Sequence, residues 1–222
     1  MSSEIVRIIF GFTQATGSLS YQGKTIIDFG CGYGKWAHLI RCEIGKGSNT
    51  SYIVGCDIYK PYLRQVKKYN PYDDLVLCDV RRPPFHARCC DIALALEVLE
   101  HLEKHEAILF LQELPQLAKQ ITLISTPRDF YPQNVLGGNQ YQRHRSAWTA
   151  DELKSRGYMV IETGLGYDLE QVLKRLHIFR LFYHINKKRS KSSWGGVMLF
   201  CSARAPVTEK KHRIVSSTIP QD

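Results

Sequence analysis

A chain of 222 residues, 44% hydrophobic and 23% charged, has the ordinary balance of a soluble globular protein and the length of one α/β domain with a substantial core. Its 30 basic and 21 acidic residues leave a net charge of +9, which favours acidic partners (nucleic acid, phosphorylated metabolites or an anionic membrane surface) without choosing among them. The seven cysteines form no Cys-x-x-Cys pair, no apolar run nears the length of a bilayer, and the N-terminal apolar run is cut by Arg7 with no cleavage pattern; the expectation is a reduced, cytoplasmic protein with neither a membrane span nor a secretory signal.

In chain order, residues 3–14 set Ile5, Ile8, Ile9 and Phe12 on one helical face behind Ser2 or Ser3. That predicts a short capped helix over the sheet or a pocket mouth, ending near Gly17. A first strand over 24–29 runs into Gly30, Gly32 and Gly34. A helix over about 34–45 then turns Trp36, Leu39, Ile40 and Ile44 inward and closes at Gly45 and Gly47. Strand 51–56 ends at Asp57, Pro61 opens a helix to about 69, and strand 75–78 ends at Asp79. Residues 81–88, with Pro83-Pro84-Phe85, form a loop. Strand 90–96 is nearly all apolar, as a central parallel strand is. A helix over 103–118 and a strand over 120–125 follow.

The polar and aromatic stretch 126–148 is longer than a simple connection and reads as a functional loop. Thr149 caps a helix that ends at Gly157, followed by a strand over 158–163, a basic amphipathic segment over 168–186 and a strand over 196–203. This alternation predicts one domain over 1–204: a doubly wound, mostly parallel seven-stranded sheet with helices on both faces and its ligand at the carboxyl ends of the strands. Residues 205–222 have no apolar period and read as a flexible tail.

The glycine turn Asp28-Phe-Gly-Cys-Gly-Tyr-Gly-Lys-Trp36 lets the backbone approach a ligand closely, and the helix after it offers free N–H groups. Its spacing excludes two common designs. A dinucleotide fingerprint wants its third glycine where Lys35 stands, and a P-loop wants Ser or Thr where Trp36 stands. Acidic residues then close successive strands: Asp28 or its loop, Asp57 and Asp79. A carboxylate ending the second strand can accept both hydroxyls of a ribose, and one ending the third can reach an exocyclic amine; each can also cap the turn that follows it.

This glycine turn, with Gly55-Cys-Asp57, Cys78-Asp79-Val80, Pro84-Phe85 and Cys90-Asp-Ile-Ala-Leu-Ala-Leu-Glu97-Val-Leu-Glu100-His101-Leu, resembles the class I S-adenosylmethionine (SAM)-dependent methyltransferases over residues 24–125. The resemblance implies a Rossmann-like fold with SAM as cofactor. It implies that Gly30, Cys31 and Gly32 approach the methionine part, Asp57 the ribose, Asp79 and Val80 the adenine, and that Glu97 lies near the sulfonium, with Asp28 and Ile58 among the cofactor contacts. The acceptor this reading expects is a small polar or amphiphilic molecule. On the loop, His144 is the first candidate for a base and His101 the second.

Glu97-x-x-Glu100-His101, on a turn entering a helix, places two carboxylates and an imidazole where they face one way, and His144 can join them. This set, with Leu123-Ile-Ser-Thr-Pro127, is similar to that of the small-RNA 3′-terminal 2′-O-methyltransferases, which use it to hold a divalent metal. Glu-Val-Leu-Glu-His-Leu is also similar to metal-free methyltransferases such as those of quinone biosynthesis. The expectation is accordingly no metal for a small-molecule acceptor and a divalent metal only for an RNA acceptor. The basic segment, continued by Lys187-Lys-Arg189-Ser-Lys191, reads as a lid. Its alternative is a surface for nucleic acid or membrane, which a non-catalytic module of the same fold would also use.

Overall fold

The computed structural model describes residues 23–44, 51–163 and 198–204. The expected N-terminal helix, the basic segment 168–191 and the tail 205–222 lie outside the described residues.

Among the described residues seven strands form one sheet: β1 (Thr25–Phe29), β2 (Tyr52–Asp57), β3 (Asp74–Leu77), β4 (Cys90–Leu96), β5 (Ala118–Pro127), β6 (Met159–Thr163) and β7 (Met198–Arg204). Their spatial order is β3-β2-β1-β4-β5-β7-β6. The first five run parallel, with Ile27 opposite Val54 on one side and Ala93 on the other. β7 is antiparallel to both β5 and β6. The chain moves outward from β1 through β2 to β3, then returns to lay β4 on β1's other side. This reversal opens a crevice beyond the carboxyl ends of β1 and β4, the usual ligand position in such sheets.

Both faces of the sheet are covered, so neighbouring strand residues enter different cores. Ile26, Ile53, Ile92, Leu94 and Ile121 pack under α1 (Lys35–Ile44) and α2 (Lys60–Tyr69) with Trp36, Ile40, Leu63 and Val66. Ile27, Phe29, Val54, Ala93 and Ile124 pack with Phe110, Leu111 and Leu114 of α3 (Lys104–Leu117) and with Trp148 and Leu153. The period of two in each strand thus becomes two separate cores, as parallel strands require.

Most elements begin and end within a residue or two of the boundaries expected from sequence. β5 is longer by two residues at each end, and the main exception is the helix expected to end at Gly157, which stops at Lys154. The helix capped by Thr149, α4, covers Ala150–Lys154, and Gly157 lies beyond it in a left-handed turn. No helix among the described residues is long and apolar enough to cross a membrane.

Candidate active site

The β1–α1 turn is tied down before any ligand is considered. The N–H groups of Gly30 and Cys31 both donate to the Cys56 carbonyl, at 2.8 and 2.9 Å. Gly30 has φ +71°, and a Cβ there would stand 2.6 Å from Val98 Cγ2; only glycine lets β1 turn this close to the end of β4. Gly32 differs, because a Cβ there would meet nothing within 4 Å. Its missing side chain is space belonging to a cavity of about 180 Å³.

Asp57, buried at the end of β2, joins this turn to the next strand. Its Oδ2 accepts from the Gly32 N–H at 2.9 Å and its Oδ1 from the Tyr59 N–H at 2.8 Å. Burial pushes its pKa up, opposed by these N–H donors. Gly30, Gly32, Asp57, Ile58, Asp79, Val80 and Glu97 all line the cavity, as do Asn139, Tyr141 and Gln142 from the loop. Seven of the nine expected cofactor residues therefore converge on one space.

Asp28 and Cys31 do not line it. Asp28 lies within β1 on the same face as Ile26, where its Oδ2 accepts from the buried Tyr72 hydroxyl at 2.6 Å. Burial raises the Asp28 pKa to about 7 against the opposing Tyr72 bond. The Cys31 side chain enters the core with Trp36 and Ile40. Asp79 does line the cavity, but its carboxylate is engaged: both oxygens accept from the Arg81 guanidinium, whose Nη1 also donates to Glu106 Oε1 at 3.0 Å. The Arg81 bond holds the Asp79 pKa below its ordinary range. Arg81 was not singled out from sequence, although a basic residue two positions after a strand-ending aspartate is a visible signal.

Beyond β4 the chain is strained. Glu97 has φ +61°, a left-handed backbone uncommon outside glycine. Ser125 of β5 holds it there: the Glu97 N–H donates to the Ser125 carbonyl at 3.0 Å, and the Ser125 hydroxyl donates to Glu97 Oε1 at 2.5 Å. Burial pushes this carboxyl pKa up.

A second cavity, of about 280 Å³, adjoins the first and shares Glu97, His101 and Gln142 with it. The rest of its wall is Glu100, Pro127, Tyr131, Gln133 and His144. Together the two volumes fall in the range of small-molecule sites. The long loop is anchored rather than loose. Arg145 N–H donates to the Glu100 carbonyl at 2.7 Å, the Ser146 hydroxyl to the Leu99 carbonyl at 2.9 Å, and the buried Trp148 Nε1–H to Ser146 Oγ at 3.0 Å. Lys104 sits over the Trp148 ring, 3.6 Å from its centroid.

These anchors bring His144 to His101, with ring centroids 4.9 Å apart. One ring nitrogen of each and a carboxylate oxygen of Glu100 lie within 4.8 Å of one another. Of the four residues grouped in the sequence reading, Glu97 is not in this trio, because its backbone conformation and Ser125 direct it elsewhere. Burial lowers both imidazole pKa values, that of His101 to about 4 with His144 adding to the effect. Glu100 shifts upward through burial and the nearby Glu97.

Residues 27–120 match the family model of a methyltransferase domain. No curated protein sequence matches the chain. Solved structures share its fold at low identity. Phosphoethanolamine N-methyltransferase 2 of Haemonchus contortus, in complex with SAM, is 13% identical with a TM-score of 0.58; the alignment covers 89% of this chain and 52% of that one. The 1,6-didemethyltoxoflavin-N1-methyltransferase of Burkholderia thailandensis is 16% identical with a TM-score of 0.53, covering 93% of this chain and 77% of that one. Magnesium protoporphyrin IX methyltransferase of Synechocystis PCC 6803, with bound SAM, is 15% identical with a TM-score of 0.53, covering 90% and 78%. Residues 27–120 thus carry a methyltransferase domain, set in a sheet whose fold these methyltransferase structures share.

Proposed function

We propose that the protein transfers a methyl group from SAM, held in the first cavity, to a small polar or amphiphilic acceptor held in the second. The observation that carries this reading is the junction between them. Glu97, His101 and Gln142 line both cavities, so the two spaces adjoin there and a donor and an acceptor would approach each other beside these side chains.

The residues present suit the donor. Gly32 leaves room beside the turn. Asp57 spends one bond from each oxygen on backbone N–H groups, and a carboxylate has further lone pairs for ribose hydroxyls. Ile58 and Val80 offer apolar contact to a base. When bound, SAM supplies a methyl group on a cationic sulfur, so the reaction needs alignment more than covalent assistance.

The chain's part is to orient the acceptor and to take its proton where it has one to lose. Tyr131, Gln133 and Gln142 supply polar contacts, and His144 is the first candidate base, with His101 behind it. The toxoflavin and phosphoethanolamine enzymes carry small acceptors in their names. Those acceptors differ from each other, so they support the class and not a compound.

Calorimetric titration with SAM tests the first cavity. Micromolar binding is expected, and its absence at high micromolar concentration removes the cofactor assignment. Asp57→Ala should weaken binding by about 1–3 kcal/mol, the scale for unpairing a buried polar partner; unchanged affinity refutes the ribose contact. Release of S-adenosylhomocysteine is then followed with a panel of small hydroxyl and amine acceptors and an RNA oligonucleotide bearing a free 3′ end. Turnover with the RNA alone moves the acceptor class to RNA, and SAM binding without turnover on any acceptor marks a binding module.

A further inference from the structure

Asp79 is held by more than the cap of a turn. Its Oδ1 accepts from the Arg81 backbone N–H at 3.0 Å and from Nε at 2.9 Å, and its Oδ2 accepts from Nη2 at 2.6 Å. The Nε–H is also shared with Oδ2, at 3.0 Å. The guanidinium thus grips the carboxylate side-on as a fork, the geometry by which arginine fixes a carboxylate's plane. Its far end is pinned in turn. Nη1 donates to Glu106 Oε1 at 3.0 Å, and Glu106 Oε2 accepts from the Glu103 N–H at 3.1 Å in the capping box of α3.

Fold stability is a weak reason for this arrangement. The Arg81, Asp79 and Glu106 side chains are 42%, 34% and 22% exposed, and ion pairs that water reaches contribute little. Their place says more, because all three residues line the first cavity. A carboxylate offers about four lone-pair sites. Among the described residues, three N–H groups of Arg81 take up three of them, leaving about one for a ligand.

We infer that Arg81, pinned by Glu106, is a positioning residue that makes Asp79 select the base of the methyl donor, admitting an exocyclic amine and rejecting a carbonyl in its place. This role rests on the reading that SAM occupies the first cavity, and Arg81 acts on the base only through Asp79. The fork fixes the plane of the carboxylate and holds its pKa below the ordinary range, so it only accepts, and its remaining lone pair suits one N–H of an amine. A carbonyl oxygen at that position also only accepts, and the two oxygens repel. Without the fork the carboxylate is free to turn, and the choice between amine and carbonyl weakens.

The test compares, by calorimetry on the full-length chain, S-adenosylhomocysteine with S-inosylhomocysteine, whose base carries a carbonyl in place of the amine. The wild type should prefer the adenosyl compound by about a hundredfold or more. Arg81→Met should cut that preference by about tenfold, mainly by weakening the adenosyl compound, the scale of loosening one charge-assisted hydrogen bond. Arg81→Lys, which keeps the charge and loses the fork, should recover only part of it, and full recovery overturns the role of the fork. Glu106→Ala should narrow the preference by a smaller factor; a wild-type preference there removes the pinning. Circular dichroism reports that each variant is folded. A residue that merely supported the fold would weaken both compounds alike, so an unchanged preference in Arg81→Met overturns the assignment while the SAM reading stands. So does a preference that Arg81→Met still narrows in an Asp79→Ala background. A wild type that binds neither compound removes the SAM reading and the assignment together.

Discussion

Asp28→Asn isolates one buried charge. In the folded chain the Asp28 carboxyl has its pKa raised from 3.8 to about 7 by complete burial, even though Tyr72 donates to it. Below the unfolded value both states hold the proton and Asp28 contributes no pH dependence. Between about 4 and 7 the folded state keeps a proton that the unfolded chain has shed, so stability falls as pH rises, by about 1.4 kcal/mol per pH unit. Above 7 the full cost, about 4 kcal/mol at most, is in place. Asparagine removes the titration while keeping an oxygen to accept from Tyr72. Its amide N–H₂ takes the place of Oδ1, which has no hydrogen-bond partner among the described residues, so the variant carries a penalty of its own that does not change with pH. The informative quantity is therefore the wild-type-minus-variant difference in unfolding free energy, from urea midpoints at constant m value across pH 4.5–7.5. It should fall steadily with pH and level off above 7. Parallel curves, with a difference constant to within about 0.5 kcal/mol, would refute the buried titration.

Gly30→Ala places a methyl 2.6 Å from Val98 Cγ2 at φ +71° and should cost about 2–4 kcal/mol in urea unfolding, from the clash and the left-handed strain together. Adding Val98→Ala should relieve the clash in Gly30→Ala and leave about 1 kcal/mol of strain; a background in which glycine and alanine are equivalent refutes the conformational argument. Ser125→Ala removes the hydroxyl that donates to Glu97 Oε1 and should lower stability by about 1–3 kcal/mol. A loss under about 0.5 kcal/mol would show that solvent already serves Glu97.

The parts of the site legible in the sequence were the local ones. An apolar strand, glycines at alternate positions and a strand-ending carboxylate each state their geometry within a few residues, and Gly30, Gly32 and Asp57 meet where that pattern puts them. Asp28 was misplaced by treating it as a strand end. It is the fourth residue of a five-residue strand, and the period of two sets it beside Ile26, on the face covered by α1 and α2. Its partner, Tyr72, lies 44 positions away. The antiparallel β7, inserted between β5 and β6, depends on pairing that no single strand declares.

The grouping of Glu97 with Glu100, His101 and His144 shows the other limit of periodicity. Spacing places residues 97, 100 and 101 on one side only if the backbone between them is helical. The helical turn begins at Leu99, and Glu97 precedes it at φ +61°, locked to Ser125 on the neighbouring strand. That single left-handed residue divides the acidic pair between two tasks. Glu97 is turned to the wall common to both cavities, while Glu100 stays with the imidazoles. A short link between β4 and α3 thereby serves two neighbouring sites with carboxylates three residues apart, and a strained backbone at a cavity wall is where such a division is expected.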